Sequence, residues 1–312
     1  MTESGSAPYR GRFAPSPTGP LHFGSLIAAT GSYLQARQQG GEWYVRIEDI
    51  DPPREQQGAA DGILFTLEAF GFQWDGPVSW QSQHGEYYRA VLADLLAAGL
   101  AYRCDCSRRA LGERAQHLGN RSGVYDGFCR SRQIAPQRRH AIRFLSDGPP
   151  ITLVDLVQGR LSQHVVNEVG DFILLRADGL YAYQLAVVVD DARQGITEVV
   201  RGSDLLNSTP RQILLQQGLA YPTPGYLHLP VALNTTGQKL SKQNLAPAIR
   251  PQQRLELVWQ ALHFLGQQPP RELLDASLDD CWQWATTHWQ VARIPRTLGL
   301  LFQSGTGNDE QQ

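Results

Sequence analysis

Arg12-Phe-Ala-Pro-Ser-Pro-Thr-Gly-Pro-Leu-His-Phe-Gly-Ser25 decides how this chain is read. A short strand, Tyr9 to Phe13, leads into it. Pro15 and Pro17 then hold the backbone extended and exclude helix. Gly19-Pro20 turns the chain, and a helix starts near His22 to Gly24 and continues through Leu26-Ile-Ala-Ala-Thr-Gly-Ser-Tyr-Leu-Gln-Ala-Arg37. A helix that begins right after a strand-end turn aims its free N–H groups and the positive end of its dipole at one spot. With His22 and Ser25 at that mouth, the expected guest is a phosphate.

Outward from this stretch, Gly41-Glu-Trp-Tyr-Val-Arg-Ile-Glu-Asp49 reads as a second strand. Trp43, Val45 and Ile47 share one face; Tyr44, Arg46 and Glu48 share the other. Strand, helix, strand implies a parallel pair with a right-handed crossover, whose ligands gather at the carboxyl ends of the strands. Arg12 and Glu48 are therefore expected at one cleft. Helices are expected over 58–70 and 86–98, the second ended by Gly99. Short strands follow at 141–144, 151–156, 161–166 and 172–175, two of them joined by the hairpin turn Val157 to Arg160. Tyr181 to Asp191 reads as helix, because Tyr183, Ala186, Val187 and Asp190 share a helical face. Ile196 to Arg201 reads as a strand, after which Ser203 or Asp204 should cap a helix running to Gln217. Arg201 thus ends a strand as Arg12 does, and two guanidiniums suit an anionic substrate with carboxylates. Beyond Arg250 the pattern is helical, at 255–264, 271–274 and 279–291, with residues 304–312 expected to be disordered.

Composition narrows the function. With a net charge of −2 the chain is not globally basic, so a nucleic-acid partner must be held by a local patch. There is no membrane-spanning apolar run and no signal-peptide pattern, which points to a cytoplasmic protein, expected as a monomer, with cysteines available for metal rather than disulfides. Of the 28 basic residues only Lys239 and Lys242 are lysine. They lie three apart in the polar loop Asn234 to Asn244, where a compact, mobile charge can follow a moving phosphate.

Residues 102–143 change character. Cys104-Asp-Cys106 and Cys129 offer three thiolates to one metal, with Tyr125, His117, His140, Cys281 or a water as the fourth ligand. The segment from Arg103 to Arg143 holds ten arginines, a candidate contact surface for an RNA backbone.

Taken together, these segments resemble the class I aminoacyl-tRNA synthetases, and within them the glutamyl branch. His22-Phe-Gly-Ser25 is similar to that class's HIGH signature and Lys239-Leu-Ser-Lys242 to its KMSKS loop. Arg12 to Gly19, Arg46-Ile-Glu-Asp49 and Val200-Arg-Gly-Ser-Asp204 are similar to glutamyl-synthetase segments, and the likeness covers roughly residues 9–250. Each motif alone is weak; their joint occurrence in this order is strong. Only about seventy residues follow the lysine loop, too few for two anticodon-binding domains. That shortness and the cysteine insert resemble the glutamyl-queuosine tRNA(Asp) synthetases.

The resemblance implies an α/β fold: a Rossmann-type class I synthetase catalytic domain with a zinc-held insert and a short helical C-terminal region. Its expected parts are residues 1–103 and 146–250 for the two catalytic halves, 104–145 for the insert, 251–303 for the helical region and 304–312 for a tail. The implied activity is a ligase reaction: ATP-dependent activation of L-glutamate and its transfer to the queuosine base in the anticodon of tRNA(Asp). A compact enzyme charging a tRNA 3′ end, or an inactive tRNA-binding paralogue, are the alternatives. By resemblance, glutamate would lie against Arg12, Phe13, Ala14, Pro15 and Ser16, and against Glu48, Tyr183 and Arg201. ATP, accompanied by Mg²⁺, would meet His22, Gly24 and Lys242, with His22, Ser25, Lys239 and Lys242 catalytic. Serine stands at Ser25 where the signature has histidine; it still donates a hydrogen bond. One structural Zn²⁺ would be held by Cys104, Cys106, Tyr125 and Cys129.

Overall fold

A computed structural model describes residues 8–117, 124–240 and 247–302. Ser241, Lys242 and the 304–312 tail lie outside the described residues.

The opening stretch folds as its residues dictate. Strand β1 (Arg10–Phe13) runs into the proline turn, and helix α1 (Phe23–Gln38) begins directly after His22. Strand β2 (Glu42–Ile47) returns parallel to β1, with Arg12 opposite Tyr44. Helix α2 (Ala59–Ala69) leads to β3 (Ser79–Trp80), which extends the sheet in parallel beyond β2. Helix α3 (Gly85–Ala97) ends at Gly99, whose φ of +70° suits a residue without Cβ.

The next strands form a different, antiparallel layer. Strands β4 (Ala101–Cys104) and β5 (Ala141–Phe144) pair on either side of the segment that carries helix α4 (Arg108–His117). Strands β6 (Ile151–Asp155) and β7 (Gly159–Gln163) make the expected hairpin. The strand expected at 161–166 stops at Gln163, because Val165 opens a one-turn helix, α5 (Val165–Glu168), before β8 (Ile173–Leu175) pairs with β5.

Helix α6 (Tyr183–Arg193) crosses back to β9 (Glu198–Gly202), and helix α7 (Thr209–Gly218) to β10 (Gly225–Leu229), which is parallel to β9. The amide of Thr197 donates to the carbonyl of Arg10 at 3.0 Å, so the starts of β9 and β1 lie side by side. The spatial order is therefore β3-β2-β1-β9-β10. Chain order reverses between β1 and β9, which is the place where open α/β sheets bind ligands.

Both faces of this sheet are covered, so the alternation of β2 does not translate into a wet face. Trp43, Val45 and Ile47 are fully buried, and so is Arg46 on the opposite face. Two features differ from the sequence expectation. Neither Ser203 nor Asp204 caps a long helix: residues 203–208 form a 3-10 segment, and α7 starts only at Thr209. Ser203 instead donates to the carbonyl of Leu298, and Asp204 accepts from Lys239. The C-terminal region is also not purely helical. After β11 (Val231–Leu233), α8 (Arg254–Phe264) and α9 (Leu278–His288), β12 (Gly299–Leu301) pairs in parallel with β11. Helix α1 is buried nearly all round because α8 and α9 cover its outer side: the Trp282 ring meets Tyr33 edge-on at 5.2 Å, and Trp289 Nε1 donates to Gln35 Oε1 at 2.8 Å. No helix of the described residues is long and apolar enough to cross a membrane.

Candidate active site

Three strand ends meet at the switch point. Arg12 in β1 and Arg201 in β9 each lie one residue from their strand's end, and Glu48 follows β2. The Glu48 amide donates to the Pro15 carbonyl at 3.0 Å, which fixes the proline turn to the end of β2. The sequence-predicted Arg12, Glu48, Tyr183 and Arg201 are all buried or nearly so, and their charges act on one another.

A residue not singled out as functional holds the first half of this cluster. Asp191, near the end of α6, accepts from Arg12 Nε at 3.0 Å and Nη2 at 3.3 Å, and from Arg46 Nη1 at 2.8 Å. Arg46 Nη1 also donates to Gln194 Oε1 at 2.6 Å, and Nη2 reaches Glu48 Oε1 at 3.4 Å. Burial works against ionised Asp191, but Arg12 and Arg46 outweigh it and hold its carboxyl below the usual range. Glu48 is the opposite case: burial lifts its pKa despite the pull of Arg46 and Arg12.

The second half centres on Arg201, and its neighbours are neutral. Nη1 donates to Tyr183 Oη at 3.2 Å; Nη2 donates to Thr209 Oγ1 and Gln212 Oε1, both at 2.8 Å. Nε donates to His228 Nε2 at 3.1 Å. His228 Nδ1 lies 2.6 Å from Asp155 Oδ2, and both side chains are fully buried. Asp155 is acceptor-only, so the imidazole proton sits on Nδ1 and Nε2 is free to accept. Burial pushes the His228 pKa down, the Arg201 charge adds to this, and the Asp155 bond opposes it. Burial disfavours ionised Asp155, yet the bonds from His228 and the Gln158 amide pull its pKa lower. The signal for His228 was its place in Leu227-His-Leu, an imidazole inside an apolar strand end; Asp155 carried none beyond its position at a hairpin.

Beside this cluster lies the expected anion mouth. His22 caps α1, its Nδ1 accepting from the Ser25 amide at 3.3 Å. A Cβ on Gly24 would stand 3.0 Å from the His22 ring and 3.3 Å from the carbonyl of Leu240. Glycine here lets the lysine loop close onto the helix start. The far side of that loop docks as well, since the Ile249 amide donates to Leu21 O at 3.0 Å. Lys239 Nζ binds Asp204 Oδ2 at 2.6 Å.

The cysteine insert brings three sulfurs together: Cys104, Cys106 and Cys129 have Sγ atoms within 4.8 Å of one another. Cys106 and Cys129 Sγ are 3.5 Å apart, far from disulfide length and close to the roughly 3.8 Å that two bonds of about 2.3 Å impose around tetrahedral zinc. The Tyr125 hydroxyl lies 3.5 Å from Cys104 Sγ and accepts from the Cys129 amide at 2.9 Å. His117, His140 and Cys281 are not part of this group; Cys281 is a residue of α9 buried in the core. Many arginines of the insert are already matched to acids: Arg114 to Asp126, Arg130 to Asp171, and Arg132 and Arg138 to Asp105. They hold the insert together, which narrows the surface open to RNA.

Residues 9–256 match the family model described as tRNA synthetases class I (E and Q), catalytic domain. The chain is 54% identical to a "Glutamyl-Q tRNA(Asp) synthetase" of Dechloromonas aromatica, over 95% of this chain and 99% of that one. It is 52% identical to another of that name from Chromobacterium violaceum, over 93% and 96%. A glutamate tRNA ligase from Elizabethkingia meningosepticum, solved in complex with its amino acid, superposes with a TM-score of 0.80 at 25% identity, over 95% of this chain and 67% of that one. The chain therefore belongs to the class I aminoacyl-tRNA synthetases of the glutamate and glutamine type and, within them, to the glutamyl-Q tRNA(Asp) synthetases, a group of ligases.

Proposed function

We propose that this ligase activates L-glutamate with ATP and transfers it to the queuosine base in the anticodon of tRNA(Asp). The observation that carries the amino-acid half is the convergence of Arg12, Glu48, Tyr183 and Arg201 at the switch point, beside the N-terminus of α1. The relatives' printed names support the RNA half.

Arg201 is the guanidinium best suited to a glutamate carboxylate, because its partners are hydroxyls, an amide and a neutral imidazole. The charge of Arg12 is already matched by Asp191, leaving Nη1 to face substrate. Glu48 suits the α-ammonium, which would offset the burial that lifts its pKa. Ser16 and the backbone of Phe13 to Pro15 complete the wall. His22, Gly24 and the α1 N-terminus receive the ATP phosphates with their Mg²⁺, Ser25 donates a further hydrogen bond there, and Lys239 and Lys242 stabilise the departing pyrophosphate.

Cys104, Cys106, Cys129 and Tyr125 would hold one zinc ion, whose contribution is a structural crosslink between β4 and the return of the insert. The enzyme works as a monomer in the cytoplasm, where reduced thiols stay available to metal.

The test combines ATP, radiolabelled glutamate and bulk tRNA with and without oxidation of the 3′ diol under conditions that spare queuosine. Label that survives 3′ blocking and maps to the anticodon of tRNA(Asp) is expected. Label lost on 3′ blocking, or no glutamate-dependent ATP–pyrophosphate exchange, overturns the proposal.

A further inference from the structure

A cavity of about 670 Å³ opens between α4, β5, α6 and α7, separate from the glutamate cluster but touching it. Gln184, on its wall, accepts from Gln212, and Gln212 in turn accepts from Arg201. Four arginines line the cavity, Arg108, Arg114, Arg143 and Arg211, against two acids, Asp126 and Asp171. Those acids are committed to Arg114 and to Arg130. Arg108, Arg143 and Arg211 have no carboxylate partner among the described residues.

The setting of these three cations is unfavourable for the protein alone. Arg143 is only 6% exposed and its Nε has no hydrogen-bond partner; Nη1 reaches the Asp171 carbonyl at 2.7 Å. The Nε of Arg211 is likewise buried without a partner, and burial alone pulls its pKa down. Arg108 opens α4, and Arg211 sits in the first turn of α7. Both helices thus place a cation where the dipole is already positive. The Arg143 guanidinium stacks over the Tyr125 ring at 3.9 Å, and Arg211 Nη2 donates to Asn207 O and Ser208 Oγ, yet the charges of all three lack a counter-anion, which a bound phosphodiester supplies. The volume exceeds what a lone phosphate needs and falls within the range of small-ligand pockets.

We propose that this cavity receives a nucleotide of the RNA substrate next to the acylated base, its phosphodiester matched to Arg108, Arg143 and Arg211. The inference rests on the RNA-acylating reading above. It assigns the RNA-facing role to one pocket between insert and sheet rather than to the arginine-rich insert at large.

The test uses the full chain carrying Arg108→Gln, Arg211→Gln, or both. Binding of an anticodon stem-loop RNA is titrated across salt concentrations, and ATP–pyrophosphate exchange with glutamate is measured without RNA. The double variant is expected to bind the RNA about tenfold more weakly, with the salt slope reduced by about 0.7 for each arginine removed. Arg211→Lys should restore part of the slope, and exchange should stay within about twofold. Arg108 is exposed, so Arg108→Gln gives half of the answer even where Arg211→Gln unfolds. Unchanged RNA affinity and slope overturn the inference. So does loss of inorganic phosphate binding, read by calorimetry, while RNA binding persists, since that marks a small-anion site. Absence of exchange in the wild type removes the proposed adenylation but leaves the RNA titration to decide this cavity.

Discussion

Asp155→Asn should disable glutamate binding without touching a residue that meets substrate. Asp155 Oδ1 accepts from the amides of Val157, Gln158 and His228 at 3.0, 2.8 and 3.2 Å, while Oδ2 faces His228 Nδ1. In an isosteric asparagine, the amide oxygen must stay toward those three N–H donors, so the NH₂ group turns to the imidazole. His228 can accept it only by moving its proton from Nδ1 to Nε2. Nε2–H then confronts Arg201 Nε–H across 3.1 Å, donor against donor. The same wrong-tautomer logic operates when a triad aspartate is replaced by asparagine. The bond lost is one made by a charged group, worth about 1.5–3 kcal/mol. Expressed in the KM for glutamate, that is roughly 10- to 140-fold. The assay is ATP–pyrophosphate exchange as a function of each substrate, with ¹⁵N-histidine NMR reporting which ring nitrogen carries the proton. The KM for ATP should move little. An unchanged KM for glutamate, an equal rise in both KM values, or a retained Nδ1–H tautomer would refute the reasoning.

Other perturbations test the rest of the framework. Asp191→Ala leaves Arg12 and Arg46 buried without their shared anion and should cost about 3–5 kcal/mol in urea unfolding. Gly170→Ala places a Cβ 2.2 Å from the carbonyl of Tyr125 at a φ of +73°, so it should free the insert to limited proteolysis and cost more than the about 1–2 kcal/mol of left-handed strain alone. Stability should also fall as pH drops below about 6.5, because the unfolded chain then protonates His228, which burial keeps neutral in the fold. Above that pH the contribution is fully present, and His228→Gln should flatten this part of the profile in thermal melts at pH 5 to 8.

The fold was legible where local chemistry and global fold agree. Prolines 15 and 17, the glycine turn and the alternation of Trp43, Val45 and Ile47 each allow one backbone path, and β1, α1 and β2 follow it. The helix at Tyr183 was readable from the face shared by Tyr183, Ala186, Val187 and Asp190, and the hairpin from its Val157 to Arg160 turn, though its second strand ends earlier than the expected Val166. Long-range pairing was not readable. Nothing in Gly299–Leu301 announces a parallel partner in β11, and no local pattern says that α8 and α9 will cover α1. The site divides in the same way. Arg12, Glu48 and Arg201 stood out because charged groups at strand ends meet at a switch point. Asp191 ends an apolar helix, Asp155 sits in a hairpin, and Thr209 and Gln212 begin α7, so each gains its role only when β9 is laid beside β1.

That arrangement gives the cleft a defined electrostatic demand. Arg12, Arg46 and Arg201 bring three positive charges to the strand ends; Asp191 and Glu48 bring two negative ones. Asp155 is held one residue further back, with neutral His228 between it and Arg201. Among the three, Arg201 alone has no carboxylate in direct contact among the described residues, since Asp191 is within 3.0 Å of both other guanidiniums. On the proposed reading, a carboxylate of glutamate gives Arg201 that contact, and Glu48 faces the ammonium. Glutamine, with an amide in place of the side-chain carboxylate, would leave a buried guanidinium uncompensated, a loss of about 3–5 kcal/mol where the charge pair is buried. On the proposed reading, discrimination between the two amino acids requires no steric block. On that reading it rests on an arginine whose hydrogen-bond partners are all neutral, among them an imidazole that burial and the Arg201 charge keep neutral while Asp155 fixes its tautomer.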